Sequence, residues 1–277
     1  MFEPNCVVVL AAPELAIKSA AVRVFMQNGL KKNILLCLKA KEVNYSKLVY
    51  LGGRYLIYSE ETKKVIDSLK TCFGVYSLFL AQEKKFSNLE EICSFAVDAC
   101  KGAITQGTFA VRGRSFVKEF SSKKLEEEIG GALLSAYPKL KVKLKSPEKE
   151  FFCIAQKGMA IFYFESIAAA KGMPVGSQGR VGLIFEGYLR EEVLILAKLL
   201  LKTGCSLLLV GKEEITFNEL VEWNSFKKLN FASFDKAREY YSHEGIRAFF
   251  SPAKSIKDAK RDSELVGVKV FVPFLFE

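Results

Sequence analysis

The sequence has 277 residues and a formal net charge of +10, with half of its residues hydrophobic and 26% charged. This length is enough for two or three domains, and the composition is that of a globular protein. No apolar run approaches the length of a membrane span, so we expect no membrane segment. The seven cysteines contain no C-x-x-C motif, which excludes a zinc ribbon and a thioredoxin-like redox pair. We therefore expect a cytoplasmic chain with buried thiols.

The positive charge is concentrated in the first two thirds of the chain. Residues 1–180 hold 27 Lys/Arg against 17 Asp/Glu, whereas residues 181–277 hold 14 of each. The densest stretch is 101–147, with ten basic and four acidic side chains. This excess favours a polyanionic partner, with nucleic acid the first candidate, and leaves a generally basic globular protein as the alternative.

Residues 1–80 are predicted to fold in the order β-α-β-β-α-β, a ferredoxin-like arrangement in which two helices cover one face of a sheet. The elements follow from hydrophobic periodicity and from turn residues. They are strand 7–11, helix 15–33, strand-like runs 34–38, 47–51 and 54–58 with a Gly-Gly turn at 52–53, helix 62–72 and strand 75–81.

Two further units are predicted. Residues 81–165 contain helix 89–105, strand 109–112, helix 121–135 with a serine N-cap, strand 140–144, and a hairpin 152–155/160–164 around Lys157-Gly158. After a linker at 166–180 come strand 181–185, helix 189–203, strand 206–210, helices 217–228 and 235–242, and strands 247–250 and 268–272. Alternating strands and helices of this kind indicate a small parallel sheet covered on both faces.

Three stretches in this order carry a family resemblance. They are "PELAIKSAAVRVFMQNGLKKNI" (13–34) with "CFGVYSLFLA" (72–81), "FAVRGRSFVKEFSSKKLEEEIGGAL" (109–133) with "LKVKLKSPE" (140–148), and "GMPVGSQGRVGLI" (172–184). Together they resemble the tRNA 4-thiouridine synthetase (tRNA sulfurtransferase) family. The resemblance implies a ferredoxin-like domain at 1–80, a THUMP domain at 81–165, and an ATP-pyrophosphatase-like (PP-loop) α/β domain at 181–277. It also implies that the partner is tRNA, bound at its acceptor end.

The residues support RNA binding independently of the resemblance. Arginine suits bidentate phosphate contacts, lysine adds less directional charge, and a helix N-terminus favours anions. The candidates are Arg112, Arg114 and Lys118 on a strand end and its loop, Lys123 and Lys124 at the next helix start, and Lys18 and Arg23 on the first helix. Phe109 and Phe120 are expected in the core. For Phe116 we expect a peripheral core contact, with base stacking as the alternative.

The third stretch leads into an altered phosphate loop. In the family the strand runs into S-G-G-x-D-S, but here the sequence reads "FEGYLREEVL" (185–194). Only Gly187 matches a glycine, and Glu186, Glu191 and Glu192 stand where a phosphate would bind, with Arg190 as the one cation that the sequence places there. Carboxylates at a helix start act as dipole partners and repel phosphate. We therefore predict no bound ATP, no other cofactor and no metal.

The sequence of residues 181–277 also lacks the cysteine pair that sulfur transfer would require. Residues 181–277 contain one cysteine, Cys205, which is expected in the core, and the sole histidine, His243, has no nucleophile or metal ligands nearby. The sequence thus favours a tRNA-binding protein without catalysis of its own. The alternatives are the RNA-recognition subunit of a thiolation system with a separate catalytic subunit, an enzyme that adenylates uridine through the altered loop, and a protein-interaction module. A homodimer is expected from the resemblance.

Overall fold

The computed structural model describes residues 2–51, 53–243 and 245–274, excepting the side chains of Ser242 and His243. The chain divides into two compact units. The first unit takes its residues from 1–9, 44–66 and 77–167, and the second from 10–43, 67–76 and 168–277. The domain boundaries at 80/81, 165/166 and 180/181 stay predictions.

The first two thirds of the chain supply one large sheet. Within the described residues the elements are β1 Cys6–Ala11, α1 Ala20–Ala40, β2 Lys47–Leu51, β3 Arg54–Tyr58, α2 Thr62–Leu69, β4 Val75–Lys85, α3 Leu89–Cys100, β5 Gln106–Ser115, α4 Ser122–Ala136, β6 Lys139–Val142, β7 Lys149–Gln156, β8 Met159–Tyr163 and β9 Ile167–Ala168. The strand order is β2-β3-β1-β4-β8-β7-β5-β6, with β9 paired to β4. The predicted order β-α-β-β-α-β is the order observed from β1 to β4.

In the first unit, α3 and α4 cover one face of the sheet formed by β5 to β8. Apolar residues at helical spacing, such as Leu125 and Ile129, meet alternate strand residues such as Phe109 and Phe151 in one buried cluster. Both helices begin at a capping side chain. Asn88 accepts from the backbone N–H of Glu91 at 2.9 Å, and Ser121 accepts from that of Lys124 at 3.1 Å.

The second unit contains a parallel sheet. Its elements are β10 Arg180–Ile184, α5 Arg190–Lys202, β11 Ser206–Val210, β12 Asn230–Ala232, α6 Phe234–His243, β13 Ile246–Phe250, α7 Ile256–Val266 and β14 Val270–Phe271. The order is β12-β11-β10-β13-β14, and every neighbouring pair is parallel. The mixed α/β class and the parallel arrangement predicted from the sequence are confirmed.

Two element predictions are wrong, and helix α7 and the short strands β9 and β12 are missing from the predictions. Residues 34–38 continue helix α1, because Leu30, Ile34, Cys37 and Leu38 are buried at helical spacing. The predicted helix 217–228 is a single 3₁₀ turn, Asn218–Leu220, followed by Ser225 and Phe226 with φ of 52° and 55°, which a right-handed helix cannot contain. Helix α7 is not among the predicted elements, although Ser255 accepts from the Asp258 N–H as its N-cap.

Candidate RNA-binding surface and phosphate loop

Strand β5 presents two different faces. Phe109 is buried against the helices, and a Cβ added to Gly113 would lie 2.8 Å from Glu126 Cγ of α4. A strand alternates its side chains between two faces. Arg112 and Arg114 therefore project from the opposite face, away from α4.

The two arginines differ in their partners. Arg112 donates from Nε to Glu150 Oε1 and from Nη2 to the Leu144 carbonyl, both at 2.8 Å. Glu150 sits on β7 beside Ala110 of β5, so this ion pair crosses neighbouring strands. Arg114 is exposed and has no ion-pair partner in the part of the chain that the structure describes. Of the two, Arg114 is the cation available to an external anion.

The lysines lie where β5 connects to α4. Lys118 is exposed in the loop before the Ser121 N-cap. Lys123 and Lys124 occupy the first turn of α4 and reach Glu127 and Glu128 at 3.6 and 4.0 Å. Such exposed i,i+4 pairs are weak, so both ammonium groups can exchange a carboxylate for a phosphate. Arg114, Lys118, Lys123 and Lys124 are hereafter called the basic surface of the first unit.

The three phenylalanines of this segment separate into core and surface. Phe109 and Phe120 are buried, at 0% and 8% exposure, as the sequence predicts. Phe116 is 49% exposed and does not join the core cluster beneath the sheet. The preference for a peripheral core contact at Phe116 is therefore wrong, and its ring is presented to solvent beside the basic surface.

Lys18 and Arg23 belong to the second unit. Arg23 lies in the first turn of α1, and every residue from 16 to 25 is exposed. No acidic residue occurs between Glu14 and Glu42. Apolar side chains share the segment, with Ile17 82% and Phe25 59% exposed. The segment is thus both cationic and apolar.

The carboxylates of the loop after β10 accept hydrogen bonds from backbone N–H groups. Glu192 accepts from the N–H of Leu189 at 3.3 Å, and Glu186 accepts from the N–H of Lys212 at 3.1 Å. Lys254 pairs with Glu192, and this hydrogen bond lowers the pKa of the Glu192 carboxyl. The Leu189 donor that a phosphate would need at the start of α5 is therefore already bound.

The Arg190 guanidinium is paired with Glu219. Its guanidinium donates to both carboxylate oxygens of Glu219, at 2.9 and 2.7 Å, and to the carbonyl of Thr216 at 3.0 Å. The hydrogen bond from Arg190 lowers the pKa of Glu219 to about 2. The guanidinium also lies over the Phe217 ring, 4.6 Å from its centroid.

Besides Lys254, another cation that the sequence does not reveal lies beside Gly187. The Arg261 guanidinium stacks over Tyr188 at 5.3 Å and donates from Nη2 to the buried Asp262 at 2.9 Å. A Cβ on Gly187 would lie 3.6 Å from Arg261 Nη1. The prediction that Arg190 is the one cation near this loop is wrong. The Arg261 guanidinium is therefore already paired with a buried carboxylate.

The thiols are dispersed, with one exception. Cys37 and Cys72 are both buried in the second unit, and a hydrogen bond from Cys72 lowers the pKa of Cys37. Cys72 Sγ also lies 3.9 Å from Ser225 Oγ. Cys205 is half-buried and has Thr203 Oγ1 at 3.7 Å, so the prediction of a core position is only partly met.

The described residues offer neither a metal cluster nor a membrane span. Over residues 2–51, 53–243 and 245–274, no group of three or more His, Cys, Asp or Glu side chains is arranged to hold a metal ion. No described helix has both the length and the hydropathy needed to cross a bilayer. The side chain of His243 lies outside the described residues.

Comparison with known proteins identifies the central region. The THUMP domain model matches residues 86–165. A "Probable tRNA sulfurtransferase" of Methanosarcina acetivorans is 32% identical over 208 residues, which cover 73% of this chain and 49% of that protein. Another of that name, from Sulfurisphaera tokodaii, is 25% identical over 276 residues, covering 95% of this chain and 72% of that protein. The chain thus spans about half the length of the Methanosarcina relative.

Two solved structures share the fold. PH1313 from Pyrococcus horikoshii matches with a TM-score of 0.81 at 24% identity, covering 99% of this chain and 95% of that one. A 4-thiouridine synthetase, solved as an RNA complex with bound ATP, matches with a TM-score of 0.73 at 17% identity, covering 99% and 81%. These likenesses show the fold, and the THUMP match and the sulfurtransferase relatives show that the chain is a THUMP-domain protein similar to the tRNA sulfurtransferases.

Proposed function

We propose that this protein binds tRNA at its acceptor region through the basic surface of the first unit, without ATP-dependent catalysis of its own. The supporting observation is the arrangement at the β5–α4 connection. Arg114 and Lys118 are exposed there, next to the capped N-terminus of α4 with Lys123 and Lys124 in its first turn. A cluster of cations at a helix N-terminus suits phosphate oxygens, which carry most of the affinity in nucleic-acid binding.

The RNA itself is proposed to be recognised by shape. The RNA minor groove is wide and shallow, and single-stranded ends offer unstacked bases to aromatic side chains. The exposed ring of Phe116 lies in the same loop as Lys118. A single-stranded 3′ end next to a short duplex, as in a tRNA acceptor region, would meet both the cations and this ring.

The absence of ATP chemistry is proposed from the loop after β10. Glu186 and Glu192 occupy backbone donors, Arg190 is engaged by Glu219, and Arg261 by Asp262. A phosphate entering this loop would have to displace four carboxylates that are already satisfied, so the free energy of binding is unfavourable.

Binding of unfractionated tRNA at several salt concentrations tests the RNA part of the proposal. The double variant Arg112→Ala/Arg114→Ala should weaken affinity and flatten the dependence of log K on log salt, by about one unit for each phosphate that is no longer bound. Lys63→Ala, an exposed lysine of α2 in the first unit, is the matched control and should change neither quantity by as much. Unchanged affinity and slope in the double variant would remove the proposal.

Equilibrium dialysis with Mg-ATP, together with thermal unfolding in its presence, tests the catalytic part. We expect neither binding nor a shift in Tm. A clear shift would instead favour the alternative function, that of an active member of a tRNA thiolation system.

The protein partners are proposed from family resemblance alone. They are a second copy of the chain, forming a homodimer, and a separate catalytic subunit in the manner of a split thiolation system. A cytoplasmic location is proposed because the seven cysteines are free thiols. Light scattering after size exclusion separates monomer from dimer, and a pull-down followed by RNA sequencing identifies the bound RNA.

A further inference from the structure

One side of helix α1 is apolar and exposed at its start. Val22 and Phe25 are 41% and 59% exposed, and they are neighbours because residues three apart share one side of a helix. Gly29 and Lys32 continue this side over the next two turns at the same kind of spacing. The buried residues of α1, such as Leu30, lie on another side. Val22, Phe25, Gly29 and Lys32 are hereafter called the open face of α1.

The fold does not require a glycine at position 29. Gly29 lies inside α1 and has no positive φ, so its backbone does not call for glycine. Apart from its chain neighbours and the helix's own backbone, no heavy atom of the described residues lies within 4 Å of a Cβ added there. Glycine also weakens a helix interior relative to alanine. What glycine provides here is room, because a flat group lying on Phe25 can approach the helix backbone at Gly29.

The surroundings of the open face are positively charged. Six Lys or Arg and no acidic residue occur between Glu14 and Glu42. Lys41 pairs with Glu222, whereas Lys32 is exposed and has no ion-pair partner in the described part of the chain. Two copies of this face would bring like charges together, which disfavours self-association through it. Charge complementarity therefore favours an anionic partner that also has a flat apolar part.

An unpaired nucleotide has both properties. Proteins that bind single strands stack the bases on aromatic rings and hold the backbone with cations. Phe25 and Lys32 are seven residues apart, about 10 Å along the helix axis, and the flexible lysine stem can shorten this distance to suit one nucleotide. Paired bases keep their faces inside the duplex, so a double strand could use the lysine but not the ring.

We propose that the open face of α1 binds one unpaired nucleotide of the RNA, with its base stacked on Phe25 over Gly29 and its phosphate at Lys32. This inference rests on the proposed function and adds to it a contact in the second unit. Arg23, which the sequence predicts to bind RNA, does not belong to this contact, because two residues turn the helix by about 200° from Phe25. The RNA-binding residues that the structure adds are therefore Phe25 and Lys32.

The test measures binding of two RNA hairpins by fluorescence anisotropy at several salt concentrations. One hairpin has a short single-stranded 3′ end, and the other has the same stem with a blunt end. F25A should bind the first hairpin about tenfold more weakly, as expected for one lost stacked base, with an unchanged salt slope because no charge is removed. K32Q should reduce the salt slope by about 0.7, the value for one phosphate of a single strand. F25W should retain the affinity of the wild type, since it keeps an aromatic face.

G29A separates RNA binding from stability. The added methyl group should raise the Tm, because alanine is the better helix former, and yet weaken binding of the hairpin with the single-stranded end by closing the room beside Phe25. G131A is the matched control, since this glycine of α4 also has nothing within 4 Å of an added Cβ. It should raise the Tm without changing the affinity for RNA. Thermal unfolding of F25A and K32Q checks that any loss of affinity occurs in folded protein.

The outcomes distinguish this contact from the proposed function. If the wild type binds the hairpin with the single-stranded end and F25A binds it equally well, the contact is refuted and RNA binding stands. If F25A weakens binding of both hairpins to the same extent, the unpaired nucleotide is refuted. If G29A is stabilised and binds as the wild type does, the close approach at Gly29 is refuted. If the wild type binds neither hairpin, both proposals are refuted.

Discussion

The ion pair between Arg112 and Glu150 leads to a prediction about the affinity for RNA. Glu150→Gln keeps the shape of the side chain but removes a negative charge from the sheet face that carries Arg114. In the structure this carboxylate accepts from Arg112 Nε at 2.8 Å, with 37% of the arginine side chain and 40% of the glutamate side chain exposed. Removing an acidic residue should therefore tighten RNA binding.

The magnitude follows from the exposure of the pair. A half-exposed ion pair contributes about 0.2–1 kcal/mol to folding, so the variant should remain folded with a slightly lower Tm. Freeing Arg112 adds up to one phosphate contact, which steepens the salt slope by about 0.7–0.9, the range from single strands to B-DNA. One such contact of about 1 kcal/mol would raise affinity about fivefold at low salt.

The assay is a salt series of RNA binding for wild type, Glu150→Gln and Glu60→Gln. Glu60 is exposed in the same unit, so its variant matches the charge change without releasing an arginine. Binding by Glu150→Gln that is no tighter than binding by Glu60→Gln would refute the prediction. So would an Arg112→Gln variant that binds as weakly as Arg114→Gln, because Arg112 is already neutralised.

Three further results are expected. Gly182→Ala should lower the free energy of unfolding by about 1–3 kcal/mol, because its Cβ would lie 2.2 Å from Phe249 Cδ1 in the core, and denaturant titration measures this. Ser121→Ala should cost about 1 kcal/mol of stability by removing the N-cap of α4, seen in the same titration. Glu219 should protonate only as pH falls to about 2, and Arg190→Gln should return its pKa toward 4.5, as followed by carboxyl NMR shifts.

Each of these has an internal control. Gly131→Ala, on α4 with nothing within 4 Å of the added Cβ, should stabilise the protein by up to about 1 kcal/mol. Equal effects at positions 131 and 182 would contradict the packing argument. A Ser121→Asp variant keeps a capping oxygen and should retain most of the stability. A Glu219 pKa that stays low in Arg190→Gln would show that another group holds the carboxylate.

Local patterns predict much of the fold. The hairpin strands 47–51 and 54–58 and strand 206–210 agree with the structure residue for residue, because alternation or a buried apolar run is bounded there by turn residues. The strand predicted at 34–38 is wrong because a short apolar segment fits a strand or a buried helix equally well. Burial of one helix face over the whole of α1 decides between them.

The clustering of Arg114, Lys118, Lys123 and Lys124 can be read from the sequence, whereas their role in RNA binding and the altered phosphate loop stay predictions. Partners that lie far apart along the chain could not be predicted from the sequence. The pairs Arg112–Glu150 and Arg190–Glu219, and the stacking of Arg261 over Tyr188, are set by strand register and by helix packing.

The sequence by itself therefore determined the fold class, the family resemblance and the sign of the charge on each region, since these depend on composition and local order. Only the tertiary structure decided which cations are neutralised and which are available, because an ion pair depends on a distance of a few ångströms between residues that the chain order leaves unrelated.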